Sequence, residues 1–305
     1  MFIIRNKRIF FSIATLLVLG SVVAMVFHGF QLGVDFTGGS VLEVAYETRP
    51  NIDAIKSSLL AVRPDARIQA IGSNGVMVRT EPIDETVKES LLSAMKMNDQ
   101  IPTEKRFNTI GPSVGSELRS KALLSVILVS LCIIIFIAFA FRGVARKEDK
   151  GGNATGVSSW KYGVIAIAVL IHDVVIPAGV FAFFGLQVDT LFIVGLLTIL
   201  GVSVNDTIVV FDRIRENLHV HEEKKTHETF EEIVGKSIQQ TFTRSLMTSL
   251  TVLLALAALW VWGPESTRTL SIAMFLGVFF GTYSSIFIAS PLLVVWEKWQ
   301  NRKKV

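Results

Sequence analysis

Two polar clusters sit inside runs of apolar residues, His172-Asp173 and Asn205-Asp206, and Arg244 lies just before another such run, at a similar depth if its helix extends back to Thr241. A charged side chain at membrane depth costs roughly 2.5–3.5 kcal/mol on insertion scales, so each of these needs a reason. Burial in hydrocarbon favours the neutral form of a carboxyl group, and a guanidinium beside it favours the charged form. A site with both influences changes charge when the guanidinium moves, which is the chemistry of a proton carrier. Asp206 is the expected carrier and Arg244 its switch, with Asn205, Asp173 and His172 as further members of a relay. Two other readings use the same residues. In a purely structural one, Asp173, Asp206 and Arg244 form buried pairs that fix helix register. In another, Asp173 and Asp206 are the dyad of an intramembrane aspartyl protease, two carboxylates sharing a proton. Peptide cleavage needs neither the folded outer domain read below nor a nearby arginine.

Other candidate chemistry is sparse, and neither a cofactor nor a metal is expected. His219, His221 and His227 have no spacing that suits a closed metal site. Cys132 is the only cysteine, so no intrachain disulfide forms, and it reads as a small apolar packing residue. Asp212, Arg213, Arg215 and Glu216 read as a solvated helix end with local ion pairs.

The elements that position these residues are membrane spans. Half of the 305 residues are hydrophobic, only 18% are charged, and the mean hydropathy is +0.52. A soluble domain of this length carries more charge on its surface. A helix needs about 20 apolar residues to cross the hydrocarbon. Six stretches qualify: Ile9–Phe30, Ala122–Phe141, Gly163–Phe184, Thr190–Phe211, Met247–Trp262 and Thr269–Trp296. The first is too long for the core of a signal peptide and no small-x-small site follows it, so it reads as an uncleaved anchor. Spans three and four, and spans five and six, form tight hairpins.

Basic residues set the orientation. They gather at Arg5, Lys7 and Arg8; at Arg142, Arg146, Lys147, Lys150 and Lys161; at Arg213, Arg215, Lys224, Lys225, Lys236 and Arg244; and at Lys298, Arg302, Lys303 and Lys304. The short loops on the other side hold only Arg268. Both termini are therefore expected in the cytoplasm. The sequons at Asn153 and Asn205 then carry no meaning, one being cytoplasmic and the other within a helix.

The expected division is 1–30 (N-terminus and first span), 31–121 (outer domain with flanking hinges), 122–211 (spans two to four), 212–246 (an amphipathic connector at the membrane surface), 247–296 (spans five and six) and 297–305 (tail). Within the outer domain, Ser40–Tyr46, Ala66–Ile71, Val76–Thr80 and Lys105–Ile110 read as strands. Gly72-Ser73-Asn74-Gly75 is a hairpin turn. Asn51–Val62 and Asp84–Met97 read as amphipathic helices, with Asp84 as an N-cap. The order β-α-β-β-α-β is ferredoxin-like, so the fold class is a membrane all-α bundle of six helices carrying a small α+β domain. Its glycine-rich flanks, with Asp35, Gly38 and Gly39 on one side and Gly111, Pro112 and Gly115 on the other, read as hinges. No helix follows Gly39, which argues against a phosphate loop.

Small residues mark helix contacts. Gly277, Gly281, Ser285 and Ala289 recur every fourth position in span six. Thr198, Gly201 and Asn205 share a face of span four, and Thr248, Thr251, Ala255 and Ala258 a face of span five. The bundle interior is expected to be tight and locally polar.

Several of these motifs resemble one family. Val34-Asp35-Phe36-Thr37-Gly38-Gly39, Gly111-Pro112-Ser113-Val114-Gly115, His172-Asp173, the run from Val204 to Asn217 and Thr241-Phe242-Thr243-Arg244-Ser245 are similar to SecD/SecF protein-export proteins, on the SecF side. That resemblance covers essentially the whole chain. It implies a relative of the proton-driven RND transporters that works beside a SecD subunit, the SecYEG channel, the SecA motor and YajC. The expected role uses the proton-motive force to pull or release unfolded preprotein at the outer side, with no enzymatic reaction and no nucleic acid. The family aspartate and arginine matching Asp206 and Arg244 are linked to proton conduction. Six spans with a lopsided polar cluster also look like half of a transporter. The rivals are a small-molecule or lipid efflux pump, whose halves usually share one longer chain, and a membrane scaffold with replaceable charges.

Overall fold

The computed structural model describes residues 2–97, 100–140, 159–224 and 228–302. Phe141, the basic segment with Arg142, Arg146, Lys147 and Lys150, the sequon at Asn153, Lys225, His227, Lys303 and Lys304 lie outside the described residues. The chain divides into two compact units, Met1–Gln31 with Ser125–Val305, and Leu32–Leu124.

The first unit is a helical bundle. Among the described residues six helices are long and apolar enough to cross a membrane: Lys7–His28, Pro112–Ile137, Trp160–Phe184, Thr190–Lys224, Phe230–Trp262 and Arg268–Gln300. The chain is a multi-pass membrane protein. Spans one and two leave most of their apolar side chains exposed, as lipid-facing helices do, and Cys132 is exposed on span two. Spans three, four and six form the core, with Tyr162, Phe181, Phe211, Leu293 and Val294 fully enclosed.

Two helices run further than hydropathy alone implies. The segment 212–246 is not a separate surface helix. Residues to Lys224 continue span four, and those from Phe230 begin span five. Its apolar stripe packs on itself, with Ile214, Leu218, Phe230, Ile233, Val234 and Ile238 in one buried cluster. A stripe that finds a neighbouring helix has no need of the lipid surface. A capping box at Thr229 and Glu232 starts the second helix. Glu231 then joins Lys7, at 3.5 Å, to Lys298, so the first turn of span five holds the two chain ends together. Lys161, counted among the basic residues that set the orientation, is only 6% exposed. Its ammonium lies 5.8 and 5.5 Å from the rings of Trp160 and Trp296.

The second unit is the expected α+β domain. Strands β1 (Gly39–Ala45), β2 (Arg67–Ile71), β3 (Gly75–Thr80) and β4 (Thr103–Ile110) form one antiparallel sheet in the order β2-β3-β1-β4. Helices α1 (Ile52–Val62) and α2 (Glu85–Ala94) cover one face. Leu42, Val44, Val76 and Val78 point toward them and meet Ile55, Leu59 and Leu91. Each helix starts at a side-chain cap: Asn51 accepts from the Asp53 amide at 2.8 Å, and Asp84 from the Val87 amide at 2.9 Å.

Candidate functional site

Span three carries the most deeply buried acid. Asp173 is wholly enclosed and its neighbour His172 is 6% exposed. Asp173 Oδ1 lies 2.9 Å from His172 Nδ1, and Oδ2 accepts from the Ser203 hydroxyl of span four and, at 2.9 Å, from Ser284 of span six. One carboxyl group therefore ties three helices. Pro177, four residues on, has no N–H to give to the Asp173 carbonyl, so the helix ladder is broken at the same residue. His172 stacks against Tyr283, 6.4 Å between centroids, and its Nε2 is buried with no partner among the described residues.

Spans four and six hold that carboxyl group between them. Gly195 meets Ala273, Ile199 meets Gly277, Gly281 meets Ser203, and Thr207 Oγ1 bonds Ser285 Oγ at 2.9 Å. Each pair is 78 positions apart, so the helices run parallel in constant register. A methyl group on Gly277 would lie 2.2 Å from Ile199 Cδ1. One on Gly281 would lie 3.2 Å from Ser203 Cβ and 3.7 Å from Asp173 Oδ2. The stripe expected from spacing thus packs helix against helix. At Ser285 span six widens into a π-helical turn, Ser285–Ala289. Such turns recur at functional positions. Asp173, Ser203 and Ser284 make one bonded cluster across three helices, and Thr207 with Ser285 makes a second pair one turn further on.

Asp206 lies one turn beyond Ser203 and is half-buried. Its Oδ2 is buried without a hydrogen-bond partner, and Ser245 Oγ on span five faces it without reaching bonding geometry. Arg244 is exposed and makes no ion pair among the described residues, so the expected Asp206–Arg244 contact is absent from this arrangement. Asn205, Thr198 and Gly201 are exposed, as are Thr248, Thr251, Ala255 and Ala258. These stripes, expected inside the bundle, face outward. The span-four strip of Thr198, Gly201 and Asn205 runs up to Asp206, and the described residues of this chain leave it uncovered.

The two glycine segments of the outer unit are packed on each other rather than free. Gly38 has φ +74, and a methyl group there would lie 2.8 Å from Pro112 Cα. A methyl group on Gly115 would lie 2.7 Å from Gly38 N, and one on Gly39, φ +128, 2.7 Å from the Thr80 carbonyl. Gly111 has open space. The stretch expected as an irregular hinge is already helix from Pro112, a residue suited to the first helical position. Asp35 sits half-buried in the helical turn Val34–Thr37.

Ser203, Ser284, Thr207 and Tyr283 did not stand out in the sequence as site residues. The parallel offset of spans four and six was the signal that could have found Ser203 and Thr207.

Known proteins resemble this chain in sequence and in overall fold. The model of the SecD/SecF protein-export membrane proteins, C-terminal part, matches residues 88–146 and 157–299, and that of the SecD/SecF GG motif matches 23–48. Translocase subunit SecF of Anaerolinea thermophila is 36% identical over 98% of this chain and 96% of its own. That of Sebaldella termitidis is 34% identical over 99% and 94%. The crystal structure of SecDF from Thermus thermophilus superposes with a TM-score of 0.82 at 31% identity, over 97% of this chain. This chain spans 38% of that SecDF chain. A second SecDF structure, the super-membrane-facing form, gives 0.66. With six spans, a ferredoxin-like α+β domain, the glycine segments in place and these matches over nearly its whole length, the chain belongs to the SecD/SecF family of protein-export membrane proteins.

Proposed function

We propose that the chain is the SecF half of a proton-driven translocase, paired with a SecD-like subunit in the bacterial inner membrane, both termini in the cytoplasm. Its relatives are named protein translocase subunits, which supports a role in translocation. The observation that carries the proton reading is Asp206: a half-buried carboxyl group at membrane depth with an oxygen left unpartnered, beside an uncovered polar strip. A partner bundle laid on that strip encloses the acid and brings Arg244 into a low-dielectric contact with it. Protons entering from outside neutralise Asp206 and release Arg244; loss of the proton to the cytoplasm restores the pair. His172 and Asp173 extend the relay inward through Ser203, and Asn205 lies on the partner side. One charge falling through 100 mV is worth about 2.3 kcal/mol, so a few protons can drive a movement of the outer domain. SecYEG, SecA and YajC are the neighbours that the family resemblance implies, with unfolded preprotein as cargo. An export assay on Asp206→Asn tests the reading. Export that loses its dependence on the proton-motive force supports it; unchanged, potential-dependent export contradicts it. Copurification with a SecD-like subunit separates it from efflux by a self-contained pump.

A further inference from the structure

The open face of the outer sheet sorts its charge. Alternation puts Arg67 and Gln69 of β2, Met77 and Arg79 of β3, Glu43 of β1 and Arg106 of β4 on the side away from α1 and α2. Residues 32–124 hold eleven Lys and Arg against twelve Asp and Glu, so the unit as a whole is nearly balanced. This face nevertheless carries three arginines and one acid. Arg67 and Arg79 are directly opposite across the β2–β3 ladder, where like charges repel. Glu43 is shared: it reaches Arg106 at 3.9 Å and also stands beside Arg79. Arg67 is exposed and has no ion pair or hydrogen bond among the described residues. Burial, then Arg67, makes the Arg79 charge costlier to hold, and Glu43 offsets part of that.

A second observation comes from the sheet edges. β4 is an edge blunted by a register irregularity opposite Glu43 and Val44 and by the run Glu104-Lys105-Arg106. β2 is the other edge, and it has neither device: Arg67-Ile68-Gln69-Ala70-Ile71 contains no proline and one charge, and its pairing to β3 is regular. An unprotected edge accepts an added strand through backbone hydrogen bonds, and the neighbouring face then selects alternate side chains.

We propose that the β2 edge and the Arg67–Arg79 face bind an extended, acid-bearing stretch of the polypeptide being translocated. The proposal rests on the translocation role and names the surface that meets the cargo. A carboxylate between the two guanidinium groups relieves their repulsion and takes bidentate bonds from either. Met77, half-buried and accepting from the Arg79 guanidinium at 3.0 Å, is a flexible apolar contact suited to cargo of varied sequence.

The test uses the full chain in lipid nanodiscs and a fluorescein-labelled unfolded peptide, alternating Val or Thr with Asp or Glu, read by anisotropy. A second peptide has Asn and Gln in place of the acids. The acidic peptide is expected to bind and the neutral one to bind about tenfold more weakly; Arg67→Ser with Arg79→Ser is expected to lose about tenfold for the acidic peptide. Arg67→Ser alone, at an exposed unpartnered site, guards against misfolding of the double variant and is expected to lose part of the same affinity. A photocrosslinker at Gln69 is expected to capture the peptide, and one at Lys56 on the exposed side of α1 is not. Equal binding by the double variant, equal binding of the neutral peptide, or equal capture from Lys56 overturns the proposal. The Asp206→Asn chain is expected to bind peptide as the parent does. Export that depends on Asp206 with no selective peptide binding discards this surface alone; peptide binding as expected with Asp206-independent export discards the proton reading alone.

Discussion

Replacing Asp173 by alanine and by asparagine separates its bonding from its charge. In Asp173→Ala the Ser203 hydroxyl and His172 Nδ1 lose their partner, while Ser284 keeps the Gly281 carbonyl at 2.9 Å. Two buried polar groups left without partners cost about 2–6 kcal/mol at 1–3 each. At the bilayer average of about 0.6 kcal/mol per interhelical bond, the two lost interhelical bonds, to Ser203 and Ser284, still cost roughly 1 kcal/mol. Either figure is a measurable share of a total stability of about 5–15 kcal/mol. In Asp173→Asn the amide oxygen accepts both serine hydroxyls and the amide nitrogen faces His172, so the bonds survive and only proton exchange is removed. Heating followed by fluorescence-detected size exclusion reads stability, and an export assay reads function. Alanine should lower the midpoint and asparagine should hold it near the parent while export falls. An alanine variant as stable as the parent, or an asparagine variant as unstable as alanine, refutes the three-helix tie.

Three shorter expectations follow from the packing. Gly38→Ala and Gly115→Ala should destabilise the outer unit, Gly38 by about 2–5 kcal/mol from its positive φ and the backbone 2.8 Å away, whereas Gly111→Ala should be silent; protease resistance of that unit checks all three. Gly277→Leu should part spans four and six and lower the amount of folded chain, whereas Gly201→Leu, in open space on the uncovered strip, should leave the chain stable and weaken copurification with a SecD-like subunit. The Tyr46 phenol donates to the Met95 carbonyl at 2.8 Å, and burial pushes its pKa from 10 up to about 12. A raised folded value favours the protonated phenol, so this stabilisation is complete below pH 10 and is lost as pH rises through 12. Unfolding of the outer unit followed against pH should show that alkaline loss, and Tyr46→Phe should remove it.

Much of the architecture was readable because membrane spans and sheet strands have long, repeated patterns. The six runs, the Asn51 and Asp84 caps and the hairpin at Gly72 all follow from local rules, and the ferredoxin-like order followed from their sequence. The site was readable only in part. Asp173 and Asp206 are conspicuous because acids are rare in apolar runs. Ser203 and Ser284 are not, since a helical serine is ordinary until another helix brings an acid to it. Which side of a span faces inward was also hidden: Thr198, Gly201 and Asn205 look the same on the sequence whether they meet this chain or another. The length of spans four and five was misjudged because charged residues such as Arg213 and Glu216 end a hydropathy run without ending a helix. The glycines at 38 and 115 were read as flexibility, and their spacing held no sign that they fit against each other.

Proton movement through reconstituted vesicles addresses the role of Asp206 most directly. The chain is assembled with its SecD-like subunit in proteoliposomes holding a pH-sensitive dye, and a pH gradient is imposed. The parent should carry protons inward, and Asp206→Asn should fall to the rate of empty vesicles while the complex stays intact by size exclusion. Proton flux in Asp206→Asn equal to that of the parent would contradict a carboxyl group at this position as the carrier.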